Sequence, residues 1–519
     1  MASIAMHYPI TTHCLPPQQP QRAVILCIGG SDSAGLAGIQ MDSRCAQALQ
    51  VHCATAITAV TAQTNAALTA LNPVSDIALG SQIEAGLSLQ PQAIKIGMLV
   101  SVSQVILVAK MLQCYDLPIV FDPVLATTSG AATSNQAILD AIRLHLLPLC
   151  AIVTPNVPEA ASLLGIQNAE ASWHYARQLQ ALGLPWVVLK GGHQLPTANN
   201  QVTDYICGPN TTFSLSQPRL TTPHTRGTGC ALASSLASLL ALGYEIRDAL
   251  VISKMILQEA LTAASAINDV KGCLIPQGFP SRHWPQFAAP ELPLEGLDFS
   301  SCSGHGEPDA LGLYPIVDSA AWLARLLPIG ISTAQLRVKH LSGKPLQKEI
   351  ADAVALAKTY HCRLFINDYW QQAIAAGAYG VHLGQEDLAT ADLAAIAKAG
   401  LRLGISNHCH FEIARTLSIK PSYIACGPIF ATTTKQMPWI PYGMAGLDYW
   451  CASLTQQPLV AIAGIDANNI EAIASTGVSG IALITAITQN PDPEKASQEL
   501  QQMIALNRPQ QALGSKTND

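Results

Sequence analysis

Eight short apolar segments, separated by helical or turn-rich chain, fill the second half of this 519-residue sequence and constrain its fold more than any other feature. They are LYPIV from 313, ISTAQLR from 331, RLFIN from 363, YGVHLG from 379, LRLGIS from 401, YIACGPIF from 423, LVAIAGI from 459 and GIALITAI from 480. Parallel strands buried on both faces read as such runs, and eight of them in βα alternation predict a (β/α)8 TIM barrel over 311–505. Polar residues cluster at the C-terminal ends of these segments, where that architecture places its chemistry.

The first half has another rhythm. AVILCIGG from 23, ATAITAVTAQ from 54, AIKIGML from 93, LPIVFDPVL from 117, AIVTPN from 151 and LPWVVLKGG from 184 alternate with helical stretches. This predicts a layered α/β domain over 23–285, a largely parallel sheet with helices on both faces. Residues 1–22 read as a proline-bearing arm without a leader pattern, 286–310 as a linker and 506–519 as a tail. Only 12% of residues are charged, the formal net charge is -6, and no basic stripe suggests nucleic acid. No apolar run is long enough for a membrane span. The 14 cysteines form no CxxC pair or regular metal-ligand array, which fits a reducing cytoplasm.

RGTGCALASSLASLLALG, from 226, delivers Cys230 to the first turn of a helix through a glycine-rich corner. One reading is core packing; the other uses the free amides of the helix start to hold an anion beside the thiol. GGSDSAGLAG matches neither a dinucleotide fingerprint nor a P-loop. Asp42 and Gln63 read singly as ordinary polar residues, or together as a carboxylate and an amide for a polar heterocycle. Lys190, next to two glycines, reads as a snorkelling lysine or a phosphate contact. In the second half, Asp368 and Asp387 offer separated carboxylates suited to magnesium, and Arg337 and Lys339 read singly as ordinary strand-end surface charges, or together with that metal as cations suited to a diphosphate it bridges.

GSDSAGLAGIQMD, KIGML, DPV, TPNVPEA, LKGGH and GTGC, in this order, resemble the hydroxymethylpyrimidine and hydroxymethylpyrimidine phosphate kinases of the ribokinase-like superfamily. The resemblance implies that Gly30, Ala37, Asp42 and Gln63 line a pyrimidine pocket. It places Gly227, Thr228, Gly229 and Cys230 around the phosphoryl-transfer centre. Asp122 and Glu159 are then magnesium-site residues, and Asn156 and Lys190, with Thr228, nucleotide-site residues. Two positions depart from the family's usual glycine and histidine: Leu36, expected to narrow the flap over the pyrimidine, and Arg226, expected either to touch phosphate or to face solvent.

QLRVK, IND, GVHLGQED, GISNH, GPIFATTTK, AIAGI and LITAI resemble thiamine phosphate synthase over about 311–490. That likeness implies magnesium at Asp368 and Asp387, and diphosphate contacts from Arg337, Lys339, Asn367 and Lys435. Gln335 and His382 are then near the pyrimidine, with Ser406, Thr432, Thr434, Gly464 and Thr485 around the reacting phosphates or their covering loops. Ala463 stands where glycine is common, which is harmless only if its backbone needs no glycine conformation. MPWIPYGMAG, after Lys435, reads as a lid insertion.

The two resemblances imply a bifunctional enzyme of thiamine biosynthesis using ATP and Mg2+. One half would phosphorylate hydroxymethylpyrimidine twice, and the other would couple the diphosphate to hydroxyethylthiazole phosphate. Its partners would be these small molecules, with a homodimer through the kinase half as the family-based expectation. The alternatives are a pyridoxal or pyrimidine kinase with an inactive phosphate-binding barrel, and a ligand sensor without turnover.

Overall fold

The computed structural model describes residues 15–16, 21–64, 67–125, 135–192, 199–268, 270–292, 294, 296–302, 310–432 and 439–509. They fall into two compact units that divide between residues 293 and 294.

The strands of the first unit are β1 (Val24–Asp32), β2 (His52–Gln63), β3 (Leu68–Pro73), β4 (Ala93–Ile96), β5 (Ile119–Phe121), β6 (Ile152–Val153), β7 (Trp186–Leu189), β8 (Gln201–Gly208) and β9 (Thr211–Pro218). A small hairpin follows, β10 (Ser265–Ile267) and β11 (Val270–Cys273), and then β12 (Gln286–Ala288). The main sheet has the order β12-β9-β8-β7-β6-β5-β4-β1-β2-β3. Its middle, from β7 to β2, is parallel, as the apolar runs predict, while β3, β8, β9 and β12 add antiparallel margins. β12 therefore corrects the linker reading at its start, because Gln286–Ala288 is an edge strand of this sheet. Three backbone-paired residues with only Phe287 buried leave no apolar run to read. The core on one side packs Leu26, Ile28, Ile94, Ile96 and Phe121 against helix residues such as Leu79, Val105 and Val108.

The second unit is the expected barrel. Its strands are β13 (Gly312–Val317), β14 (Thr333–Leu336), β15 (Arg363–Asn367), β16 (Gly380–Leu383), β17 (Arg402–Asn407), β18 (Tyr423–Cys426), β19 (Leu459–Ile462) and β20 (Gly480–Leu483), and β20 closes on β13. Aromatic residues fill its interior where glycine leaves room. A Cβ on Gly404 would lie 2.1 Å from the Tyr423 ring, and one on Gly380 would lie 2.5 Å from the Phe365 ring. Tyr314, Phe365 and Tyr423 thereby pack as a closed interior rather than a pore. No helix among the described residues is long and apolar enough to cross a membrane.

Candidate active sites

In the first unit, the helix Thr228–Ala241 begins at Gly227, whose φ of 87° lies in the left-handed region. A side chain there would be strained, and its Cβ would stand 2.2 Å from the Leu36 carbonyl oxygen. The first helical hydrogen bond runs from the Ala231 amide to the Gly227 carbonyl, so the amides of Thr228, Gly229 and Cys230 have no acceptor within the helix. Gly229 lets this end approach a charged cluster: a Cβ on it would lie 3.2 Å from Lys190 Nζ and 3.4 Å from Asp122 Oδ2.

That cluster stands at the C-terminal ends of three neighbouring parallel strands. Asp122 follows β5, Glu159 lies in the helix after β6, and Lys190 follows β7. Lys190 Nζ donates to Asp122 Oδ1 at 2.7 Å and lies 4.0 Å from Glu159 Oε2. Burial works against charge on Asp122, but Lys190 and Lys95 outweigh it and hold the carboxyl below its ordinary value. At Glu159 burial prevails over Lys190 and pushes the carboxyl up to about 7. Asn156 and Glu159 also form a reciprocal helix cap, Asn156 Oδ1 accepting from the Glu159 amide and Glu159 Oε2 from the Asn156 amide. Two carboxylates converging on a lysine ammonium form a donor set that suits a cation.

Behind the helix start lies a second charged pair. Asp42, in the helix Gly38–Ala48, accepts from Lys95 Nζ on β4 at 2.9 Å, and both are buried. Asp42 Oδ1 is buried without a hydrogen-bond partner among the described residues. Burial raises this carboxyl to about 6 against the pull of Lys95. Burial also disfavours charge on Lys95, but Asp42, Cys230 and Asp122 keep it protonated. Cys230 feels the same groups. Burial pushes its thiol up to about 11, against Lys95 and a hydrogen bond from the Gly38 amide. A helix start alone lowers a thiol pKa; here desolvation wins.

Lys95 is the charged residue that sequence reasoning passed over. A lysine inside AIKIGML is visible as an interruption of an apolar strand, but its partner is 53 residues away.

Arg226 corrects the expectation that it faces solvent. It is buried: Nη2 donates to Asp32 Oδ2 at 2.9 Å and Nη1 to the Thr64 carbonyl at 2.7 Å. Asp32 also accepts from the amides of Ala34, Leu36 and Ala37. Gln63 joins this turn through its backbone, which pairs with the Ser33 hydroxyl. Leu36 is buried. Gly30 and Gly38 pack together so closely that a Cβ on Gly38 would lie 2.3 Å from the Gly30 carbonyl oxygen. Gly30, Ala37, Asp42 and Gln63 thus surround one turn and helix start.

In the barrel, Asp368 directly follows β15 with φ 65°, and its Oδ2 accepts from Lys339 Nζ at 2.6 Å. Asp387, which opens the 3-10 turn Asp387–Ala389 after β16, accepts from the Gly384 amide at 2.9 Å. Burial raises the Asp387 carboxyl, the Gly384 amide opposes that rise, and neighbouring Asp368 reinforces it. Two carboxylates beside one lysine suit a hard cation that keeps part of its water shell and takes further oxygens from phosphate.

A polar line descends from this mouth. Ser406 Oγ is 2.8 Å from His382 Nε2, His382 Nδ1 is 2.7 Å from the Tyr423 hydroxyl, and that hydroxyl is 2.9 Å from the Tyr314 hydroxyl. Burial lowers His382 to about 4, Asp368 opposing and Arg337 assisting, so the imidazole is neutral near pH 7. Gln335 is buried on β14 and interacts with both tyrosines. Asn367 closes β15, also buried. Arg337 and Lys339 lie past the end of β14, whose last residue is Leu336.

Ala463 fails its condition. Its φ is 81°, a conformation glycine adopts freely and alanine does not. Gly464 beside it, φ 65°, is pressed against the preceding loop, since a Cβ would meet the Ala431 carbonyl oxygen at 2.6 Å. Thr432 lies just beyond that contact, and Thr485 starts the short helix after β20. Thr434 and Lys435 lie outside the described residues. Of the insertion after them, Trp439 stacks on His408 at 3.6 Å.

The phosphomethylpyrimidine kinase family model matches residues 32–274, and the thiamine monophosphate synthase model matches 313–487. A thiamine-phosphate synthase from Serratia proteamaculans (strain 568) is 54% identical over 197 residues, covering 38% of this chain and 93% of the relative. One from Pectobacterium atrosepticum is 53% identical over 195 residues, covering 37% and 92%. Among solved structures, a phosphomethylpyrimidine kinase from Clostridium difficile 630 is 32% identical, covering 46% of this chain and 100% of that one, with a TM-score of 0.41. A Staphylococcus aureus pyridoxal kinase is 24% identical, covering 52% and 98%, with a TM-score of 0.47.

Proposed function

Because the chain belongs to the thiamine-phosphate synthase family through its barrel and joins to it a phosphomethylpyrimidine-kinase-like domain, as a bifunctional thiamine-biosynthesis enzyme, we propose that its halves make and consume one pyrimidine diphosphate. The first half transfers phosphate from ATP to hydroxymethylpyrimidine and then to its monophosphate. The second joins the diphosphate to hydroxyethylthiazole phosphate, giving thiamine phosphate and pyrophosphate. One observation carries the reading: each half sets two carboxylates and a lysine at the C-terminal ends of parallel strands. The sets are Asp122, Glu159 and Lys190 in one half, and Asp368, Asp387 and Lys339 in the other.

Magnesium, held by Asp122 and Glu159 in one half and by Asp368 and Asp387 in the other, would supply positive charge against phosphate oxygens. In the kinase half, Asp42 Oδ1 accepts a hydrogen bond from the pyrimidine, with Gly30, Ala37 and Gln63 forming the rest of the pocket. The amides of Thr228, Gly229 and Cys230 face the transferring phosphoryl group, Lys190 and Asn156 the nucleotide. The thiolate fraction of Cys230 takes the proton of the alcohol in the first transfer; the second begins from an acceptor that is already anionic.

In the barrel, the bond between the exocyclic methylene and the diphosphate oxygen breaks as the thiazole nitrogen bonds to that carbon. Arg337, Lys339 and Lys435 receive the charge of the departing pyrophosphate, with Asn367, Ser406, Thr432, Thr434, Gly464 and Thr485 lining the phosphate positions. Neutral His382, with Gln335, orients the pyrimidine without adding a charge. The reading includes cytoplasmic residence, which fits 13 described cysteines that are all free, and a homodimer through the kinase half.

The test gives the purified chain hydroxymethylpyrimidine, ATP, magnesium and thiazole phosphate. ATP-dependent diphosphate followed by thiamine phosphate is expected. Ligand binding without turnover, or phosphorylation of pyridoxal with no coupling in the barrel, would overturn the reading.

A further inference from the structure

The N-terminal end of the barrel, opposite the carboxylate pair, holds a cavity of about 430 Å3. Its polar lining is Lys358, His361, Arg363, Tyr379 and Arg402, and no Asp or Glu lines it among the described residues. Arg363 and Arg402 are the first residues of β15 and β17, and Tyr379 immediately precedes β16. This is the face of a barrel that ordinarily serves stability.

The two guanidinium groups are incompletely satisfied. Arg363 is only 7% exposed. Its Nε donates to Thr333 Oγ1 at 3.1 Å and its Nη2 to the Ala310 carbonyl at 2.9 Å, but its buried Nη1 has no partner among the described residues. Arg402 lies over the Tyr379 ring at 5.0 Å and reaches the Gly400 carbonyl at 3.4 Å, while its buried Nε is likewise unpartnered. Lys358 projects over Gly377, where a Cβ would meet its Nζ at 3.3 Å. Lys358 in the last turn of its helix also complements the helix dipole. That role does not satisfy a buried arginine N–H, whose omission carries a desolvation cost.

We propose that this cavity binds a phosphate dianion, free or as a small phosphomonoester, between Arg363, Arg402 and Lys358. Arginine donors in a fixed fork match phosphate oxygens, the volume lies within the range of small-ligand pockets, and a dianion would balance charge that no described carboxylate in the lining offsets.

Isothermal titration of the full chain with inorganic phosphate, without magnesium and at constant ionic strength, tests the proposal. A parallel titration with glycerol phosphate separates the two sources. Arg402→Gln and Lys358→Ala should each weaken one phosphate-binding event at least about tenfold while synthase turnover at saturating substrate is unchanged. Arg402→Lys, which keeps the charge but loses the fork, should bind phosphate with an affinity between those of the parent and Arg402→Gln, and guards against loss through misfolding. Isotherms in Arg402→Gln and Lys358→Ala that match the parent chain for both ligands would overturn it.

Discussion

Arg226 and Asp32, 194 residues apart in sequence, meet at 2.9 Å out of solvent and lock the turn after β1 to the corner that carries Gly227. Removing one partner leaves a buried charge uncompensated, which typically costs about 3–5 kcal/mol. Arg226→Met should therefore lower kinase turnover at least about tenfold and destabilise the first unit. Synthase turnover in the same chain, supplied with pyrimidine diphosphate, should stay unchanged and serves as the internal reference. Equal kinase rates in parent and variant would show that the pair does not position the site.

The Cys230 thiol, raised to about 11, is protonated at neutral pH. If its thiolate accepts the alcohol proton, the reactive fraction grows about tenfold per pH unit below that value. Phosphorylation of hydroxymethylpyrimidine should therefore rise with nearly unit logarithmic slope between pH 7 and 9. Phosphorylation of the monophosphate should lack this slope, and Cys230→Ala should abolish it for the alcohol. The measurement is kcat/KM for the two acceptors across that interval.

His382 is held neutral, with its value lowered by burial from 6.5 to about 4. A group depressed in the folded state contributes stability that is present above its unfolded value and is lost as pH falls through the folded one. The window is accordingly pH 6.5 down to 4, and the contribution is about 3 kcal/mol. Denaturant unfolding of the barrel should weaken across this window, and His382→Asn should flatten the dependence by that amount. His410, also buried and depressed, to about 3, leaves a residual slope in both proteins.

Ala463, at φ 81°, sits where a Cβ is strained. Ala463→Gly should relieve that strain, offset in part by added freedom of the unfolded chain, for a net stabilisation of about 1 kcal/mol. Denaturant midpoints of the two proteins check it; a loss of stability would mean the loop does not hold this conformation.

The barrel was legible because each strand must be apolar on both faces, and all eight segments from LYPIV to GIALITAI became strands. Their C-terminal polar residues followed from the same geometry, so Asp368, Asp387 and Lys339 could be expected together. β3, β8, β9 and β12 were less visible. As antiparallel marginal strands they alternate or run short, and their pairing rather than an apolar run defines them. Lys95 and Arg226 were misjudged for one reason: a cation is buried only when an anion meets it, and those anions are remote in sequence. The raised Cys230 thiol was not legible, because a helix start is local and readable whereas the desolvation that outweighs it comes from the whole packed unit.

The division of labour between the two sites is tested most directly by a cross of two variants, Cys230→Ala and Asp368→Ala, each given hydroxymethylpyrimidine, ATP, magnesium and thiazole phosphate. Cys230→Ala should make little diphosphate yet form thiamine phosphate at the parent rate once pyrimidine diphosphate is added. Asp368→Ala should accumulate the diphosphate and form almost no thiamine phosphate, with or without that addition. Failure of folded Cys230→Ala to couple added pyrimidine diphosphate, failure of folded Asp368→Ala to make the diphosphate, or unchanged coupling in Asp368→Ala would contradict the assignment of one step to each half.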